Sequence, residues 1–99
     1  MNTNKIEIYS FYRFIKIDNR KKLKLKIDRL LMDLNIKGTI LIASEGINGS
    51  ISGDSNDLNK IFKFIKQALK IRKLSLKINY LNFHAFNKIK VRIKKEIVS

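Results

Sequence analysis

The chain contains no cysteine and no proline, and its only histidine is His84. Without cysteine there are no disulfides, no thiolate metal ligands and no cysteine nucleophile. The eight acidic residues are scattered and show no zinc-ligand spacing, so we expect neither a metal site nor a cofactor in this chain. His84 lies in the predicted loop "LNFHAFN", where no nearby acid tunes it as a general base.

Long apolar runs are also absent, since none approaches the ~18 residues that a helix needs to span a bilayer. The N-terminal stretch "MNTNKIEIYS" lacks the apolar region of a signal peptide. A hydrophobic content of 44% over 99 residues predicts a single folded domain that occupies residues 1–99. We therefore expect a cytoplasmic protein that makes no contact with a membrane.

Acidic residues are scarce. The chain has eight of them and 22 lysines and arginines, which gives a net charge of +14. Such an excess favours a polyanionic partner such as a nucleic acid. Lysine, isoleucine and asparagine have A/T-rich codons, so genome composition could raise the lysine content without selection for binding. Glutamate also has an A-rich codon, so this bias does not explain the shortage of acids.

Hydrophobic patterns predict the element order β-α-β-β-α-β, followed by a strand-like tail. "IEIYSFYRFIKI", "GTILIA" and "KLSLKINY" have the β-branched or alternating pattern of strands. Apolar residues at helical spacing predict one helix over residues 20–35 and a second that begins after Asp54. This order predicts an α+β, ferredoxin-like sandwich, with an antiparallel sheet and two helices on one face.

The four glycines all fall in residues 38–53, around the segment "IASEGINGSISG". Asn48-Gly49 predicts a two-residue hairpin turn with positive φ angles, after which "SIS" resumes the strand. The G-x-x-G of Gly46 to Gly49 differs from the loop of KH domains, which joins two helices, and no lysine follows it as in a P-loop. Two interpretations stay open: a turn alone, or a turn that also presents Glu45 and Asn48 to a ligand.

Two basic clusters are the strongest candidates for binding nucleic acid. Arg20, Lys21 and Lys22 open the first helix, where cations oppose the helix dipole but suit phosphate oxygens. In the tail "KIKVRIKKEIV" the cations alternate with Ile89, Val91 and Ile93, which predicts a straight row of charge suited to a sugar-phosphate backbone. The candidate RNA-binding residues are Arg13, Arg20, Lys21, Lys22, Lys88, Lys90, Arg92, Lys94 and Lys95.

Two other sites on this fold are disfavoured. An RNA-recognition motif stacks bases on central-strand aromatics, but "SISG" has none. We expect at least half of the first strand's aromatics to be buried, and these are Tyr9, Phe11, Tyr12 and Phe14. An acylphosphatase would use an arginine and an asparagine, as in Arg13 and Asn48, yet "FYRFIKIDN" lacks the glycines of a phosphate-binding amide nest.

The segments "GTILIASEGINGSISG" and "KINYLNFHAFNKIKVRIKKEIV" resemble the N-terminal domain of the rhodanese-type tRNA uridine hydroxylases. The resemblance makes Glu45, Gly46, Asn48 and Gly49 a family signature turn. It implies a ferredoxin-like, acylphosphatase-like domain that precedes a rhodanese domain with a catalytic cysteine. It further implies that the whole enzyme is an oxidoreductase that uses oxygen to form 5-hydroxyuridine at the wobble position of certain tRNAs. The chain departs from this resemblance at Ala85, where we would expect a proline.

Because this chain has no cysteine, the resemblance implies that it is the accessory N-terminal half and is not catalytic alone. Its expected partners are tRNA and the rhodanese domain of the same parent protein. The alternative is a protein-interaction module that docks on the rhodanese domain without contacting RNA.

Overall fold

Seven elements form in residues 6–81 and 86–94, the parts of the chain that the structure, a computed structural model, describes. Their order confirms the predicted α+β, ferredoxin-like fold. The elements are β1 (Ile6–Phe14), α1 (Arg20–Leu31), β2 (Lys37–Ala43), β3 (Gly46–Gly53), α2 (Ser55–Leu69), β4 (Ser75–Leu81) and β5 (Ile89–Ile93). The predicted loop residues His84 and Ala85, and the candidate Lys95, lie outside the described residues.

The strands form one sheet in the order β4-β1-β3-β2-β5. The first four pair antiparallel, as predicted. The strand-like tail adds β5 at the free edge of β2, and it runs parallel to β2. The sheet is therefore mixed rather than purely antiparallel. Val91 is the buried side chain that anchors this fifth strand, opposite Ile40.

Both helices pack on one face of the sheet, α1 against β2 and β5, and α2 against β1 and β3. Alternation within each strand sends apolar side chains to this face, and burying each one contributes about 1.5–3 kcal/mol. The fully buried members of this core are Ile27, Ile40, Ile42, Ile47, Ile51, Leu58, Ile61 and Ile65. The other side of the sheet, here called the open face, carries polar pairs such as Ser10 and Ser50, whose hydroxyl oxygens lie 3.4 Å apart.

The turn between β2 and β3 lies at Ser44–Glu45, so the predicted turn at Asn48-Gly49 is wrong. Asn48 and Gly49 lie within β3, and in the described chain positive φ angles occur at Gly38, Gly46 and Lys70 instead. The reason is the position of β3 between β1 and β2, where it pairs along almost the whole of β1. A turn at Asn48-Gly49 would leave only residues 50–53 for that pairing. Tertiary pairing therefore overrides the local turn preference.

The glycines of the signature segment serve close packing instead of the predicted turn. A Cβ on Gly46 would overlap the backbone carbonyl oxygen of Arg13 and lie 3.1 Å from Cα of Phe14. A Cβ on Gly49 would lie 2.6 Å from Cζ of Phe11, because that ring covers the glycine across the strand pair. Both glycines thus let β1 lie closely against β3.

Candidate nucleic-acid interface

The fold gathers many strand and helix ends at one end of the sheet. β1, β2 and β5 finish there, β3 and β4 begin there, α1 starts there and α2 ends there. We call this the hairpin end, after the turn at Ser44–Glu45. The opposite end, where β3 leads into α2, is called the far end.

The hairpin end concentrates positive charge. Cations come to it from the end of β1, the start of α1, the segment between α2 and β4, and the residue after β5. They are Arg13, Lys16, Arg20, Lys21, Lys22, Lys70, Arg72, Lys73 and Lys94. Among residues 6–81 and 86–94, the acids at this end are Asp18 and Glu45. Asp18 forms an exposed pair with Lys16 at 3.9 Å, a kind of pair that contributes little to stability.

The hairpin turn holds the chain segment that leads into α1. The backbone N–H of Ile15 donates to the carbonyl of Glu45 at 3.0 Å, and that of Ile17 donates to the carbonyl of Ser44 at 2.9 Å. The guanidinium of Arg20 then donates to the carbonyl of Ile17 at 2.8 Å. The turn therefore fixes where α1 begins, and with it the first predicted basic cluster.

The start of α1 has several features that favour the binding of anions. In the described structure the side chain of Asn19, the N-cap, makes no capping hydrogen bond, and the first turn contains no acid. The first N–H groups of a helix lack partners within the helix and carry the positive end of its dipole. Arg20, Lys21 and Lys22 add three positive charges at this point. Such an end is suited to phosphate oxygens.

A groove lies close to the first turn of α1. It has a volume of about 320 Å³ and lies between the start of α1 and the end of α2, with Lys16, Lys22, Lys26 and Lys70 in its lining. Cations from two elements therefore converge here, an arrangement that the sequence alone did not predict because it depends on how the helices pack.

The predicted row of cations on the last strand is present. Lys90 and Arg92 are exposed on the open face of β5, and Val91 between them is buried. Side chains two residues apart on a strand are separated by about 6.6 Å along its axis. Backbone hydrogen bonds join Gly38 to Lys88 and Lys94 to Ile42, both at 2.7 Å, and so hold the two ends of the row against β2.

The structure brings together some of the predicted residues and separates others. Arg20 and Lys21 line a groove of about 240 Å³ with Ile93, at the end of β5. Lys88, just before β5, lies toward the far end. Arg13 pairs with the buried Ile47, which places it on the helix side of the sheet and away from the row on β5.

Arg13 has a neighbourhood that sequence reasoning missed. Its guanidinium donates to the carbonyl of Lys73 at 3.1 Å, and a groove there is also lined by Lys66 and Arg72. Lys66 is a half-buried lysine of α2, and nothing in the local sequence pattern places it beside the end of β1. Asn48 lies on the opposite face, opposite Tyr12, so Arg13 and Asn48 do not form an acylphosphatase-like pair.

Tyr9 lies in the half of the sheet toward the far end. Burial raises the pKa of its hydroxyl, and the nearby Glu7 carboxylate and Tyr80 raise it further. The hydroxyl donates to Oδ1 of Asn59 at 2.8 Å. These contacts tie β1 to α2, so we assign Tyr9 a structural role.

Neither a metal centre nor a membrane span is found in the parts of the chain that the structure describes. No cluster of three or more His, Cys, Asp or Glu side chains in those parts can hold a metal ion. No helix among them has the length and apolar content to cross a membrane.

Comparison with known proteins agrees with this architecture. The BLUF protein BlrB in its dark state superposes with a TM-score of 0.72 at 11% identity, covering 93% of this chain and 75% of that one. An acylphosphatase from Coxiella burnetii superposes with a TM-score of 0.53 at 13% identity, covering 90% and 94% of the two chains. At such low identities the likeness establishes the fold alone.

Closer relatives are named tRNA uridine(34) hydroxylase. The protein from Wolbachia sp. subsp. Brugia malayi (strain TRS) is 41% identical over 92 residues, which make up 93% of this chain and 34% of that protein. The one from Pelagibacter ubique (strain HTCC1062) is 43% identical over 93 residues, 93% of this chain and 31% of that protein. The chain thus spans about a third of the length of these relatives.

The family model of the UPF0176 acylphosphatase-like domain matches residues 6–97, which is almost the whole chain. This match confirms the resemblance carried by the glycine segment and the closing basic strand. The chain therefore belongs to the UPF0176 acylphosphatase-like domain family.

Proposed function

We propose that this chain is the accessory, tRNA-binding domain of a tRNA uridine hydroxylase. The observation that carries the proposal is the concentration of cations at the hairpin end, with acids held mainly elsewhere. The names of the relatives supply the class of RNA. In the parent enzyme a rhodanese domain with a catalytic cysteine would use oxygen to convert the wobble uridine to 5-hydroxyuridine, and this chain would hold no cofactor.

The domain would act by holding the tRNA backbone for the catalytic domain. Arg20, Lys21 and Lys22 would contact phosphates at the start of α1, and Lys90 and Arg92 would contact them along β5. Each contact releases condensed counterions, so binding is strengthened by several modest contributions and depends on salt. Phosphate contacts position an RNA without reading its sequence, which suits an accessory domain. The setting of this activity would be the cytoplasm.

Salt dependence of tRNA binding tests this proposal. The logarithm of the affinity should fall linearly with the logarithm of the salt concentration, with a slope of about 0.7–0.9 for each phosphate contacted. Changing Lys90, Arg92 and Lys94 together to glutamine should weaken binding and lower that slope by about one for each lost contact. If the unmodified chain binds no tRNA even at low salt, the proposal is wrong.

A specific observation favours the second candidate, a module that docks on the rhodanese domain. Leu76, Ile78 and Tyr80 on the edge strand β4 are 36%, 38% and 61% exposed, although they lie on the helix side of the sheet. Adding the rhodanese domain in trans should then shift the NMR signals of these residues or of Glu45 to Ser50. If both sets of signals stay in place, docking at these surfaces is excluded.

A further inference from the structure

A groove at the hairpin end combines exposed aromatic rings with cations, and the proposed backbone contacts make no use of it. The pairing of β1 with β4 reaches its last pair at Tyr12 and Ser75, and β1 continues past it through Arg13 and Phe14. The segment from α2 to β4 lies beside this overhang. Between them is a groove of about 710 Å³, within the ~300–1,000 Å³ typical of ligand sites.

Two aromatic rings on the rim are displayed to solvent. Tyr12 is 54% exposed and Phe14 is 64% exposed, whereas Tyr9 and Phe11 of the same strand are buried, in line with the expectation that at least half of the four would be buried. The two exposed rings contact edge to face, with centroids 5.9 Å apart. Contiguous exposed apolar groups on a protein surface mark interaction sites or ligand-binding grooves. The edge-to-face contact covers only part of the two rings, since each side chain is more than half exposed.

The cations of the groove come from three elements. Arg13 belongs to β1, Lys66 to α2, and Arg72 and Lys73 to the segment that follows α2. Lys66 lies 5.3 Å from the centre of the Phe62 ring, so cation and ring share the wall. Among the described residues that line the groove, none is acidic. The site therefore offers aromatic faces and positive charge together.

We propose that this groove binds an unpaired nucleotide of RNA, an inference that rests on the proposed function. Its base stacks on Phe14 or Tyr12, and its phosphates lie against Arg72 and Lys73. Aromatic side chains stack on any base that is not enclosed in a duplex, and a basic groove follows the backbone of a single strand. An acidic peptide would match the cations, but it would have no need of two exposed rings placed side by side.

The test compares unpaired and duplex RNA on the same variants. Changing Tyr12 and Phe14 together to leucine removes both stacking faces and keeps apolar side chains at positions outside the core. Affinity for an oligouridylate should fall about ten-fold, while affinity for a blunt RNA duplex of equal length stays unchanged. Tyr12→Phe, which keeps a ring, should leave both affinities as they were.

The matched control is Tyr80→Leu, which removes an exposed ring from β4 toward the far end. It should change neither affinity. If the double variant binds oligouridylate as well as the unmodified chain does, the inference is wrong while the proposed function stands. Equal losses for duplex and oligouridylate, or a loss confined to rhodanese-domain binding, would also overturn it. If the unmodified chain binds no RNA, the proposed function itself fails.

Discussion

The two helices begin at opposite ends of the sheet, and their first turns are built in opposite ways. At the far end the Asp54 carboxylate caps α2 by accepting from the N–H of Asp57 at 2.9 Å, and Asp57 adds a negative charge where the dipole favours one. At the hairpin end α1 begins with Arg20, Lys21 and Lys22, whose charges oppose its dipole. The first arrangement stabilises the fold, and the second costs stability.

The same contrast extends to the surroundings of each helix start. Besides capping α2, the far end uses Asp57 to accept a hydrogen bond from the N–H of Asn35 at 3.0 Å, which ties α2 to the chain that leads into β2. At the hairpin end the cations crowd one another, and the hydrogen bonds join backbone groups to each other or arginine side chains to backbone carbonyls. Local stability does not explain that crowding, whereas the proposed tRNA contacts would.

The largest expected effect compares one glycine from each end. Gly46→Ala should destabilise the protein by about 3 kcal/mol, because its Cβ would overlap the backbone of Arg13 at a positive φ. Gly53→Ala should cost about 1 kcal/mol, because its Cβ would lie 2.9 Å from the carbonyl oxygen of Asn35 without a strained φ. Urea unfolding of both variants measures the difference. Equal losses would mean that the signature glycine is no more constrained than a glycine at the far end.

The next effect concerns tRNA affinity. Changing Arg20, Lys21 and Lys22 together to glutamine should weaken binding about ten-fold at low salt, which corresponds to about 1.4 kcal/mol. The matched control removes the same charge outside the hairpin end, from the start of β2 and the middle of α2, by changing Lys37, Lys60 and Lys63 to glutamine. Fluorescence anisotropy with labelled tRNA compares the two variants. If they lose the same affinity, net charge matters and its placement does not.

The two N-cap residues should contribute different amounts to the stability of the protein. Asp54→Ala should cost about 1 kcal/mol of unfolding free energy, since it removes a carboxylate that accepts a backbone N–H. Asn19→Ala should cost a few tenths of a kcal/mol, since in the described structure the Asn19 side chain makes no capping bond. Thermal or urea unfolding distinguishes them. A larger loss at Asn19 would contradict the view that α1 begins without a side-chain cap.

Local patterns predicted the elements and much of the core. The apolar run "GTILIA" indicated a strand, in which Ile40 and Ile42 are fully buried, and the cap at Asp54 is where the sequence indicated. The turn at Asn48-Gly49 was wrong because its signal is local, whereas the register is decided by pairing with β1. A local pattern in a single sequence contains no information about which distant strands pair.

The same limit applies to the candidate site. The cations that open α1 and those that line β5 were recognised from spacing, and the structure places Arg20 and Lys21 beside the end of β5. The sequence did not separate Arg13 from that group or join it to Lys73, since both depend on the strand order. The order and the faces of the strands decide which cations share a surface.

The smallest expected effect is that of one substitution that should raise stability and lower tRNA affinity. Lys22→Glu should stabilise the protein by about 0.3–1 kcal/mol, because an acid in the first turn matches the dipole and stands four residues before Lys26. The same change should weaken tRNA binding, because it places a negative charge among the proposed phosphate contacts. Urea unfolding and tRNA titration of one preparation measure both. Asp57→Asn at the start of α2 is the matched control and should lower stability without weakening binding. If Lys22→Glu raises stability and leaves affinity unchanged, the cations that open α1 face solvent and not RNA.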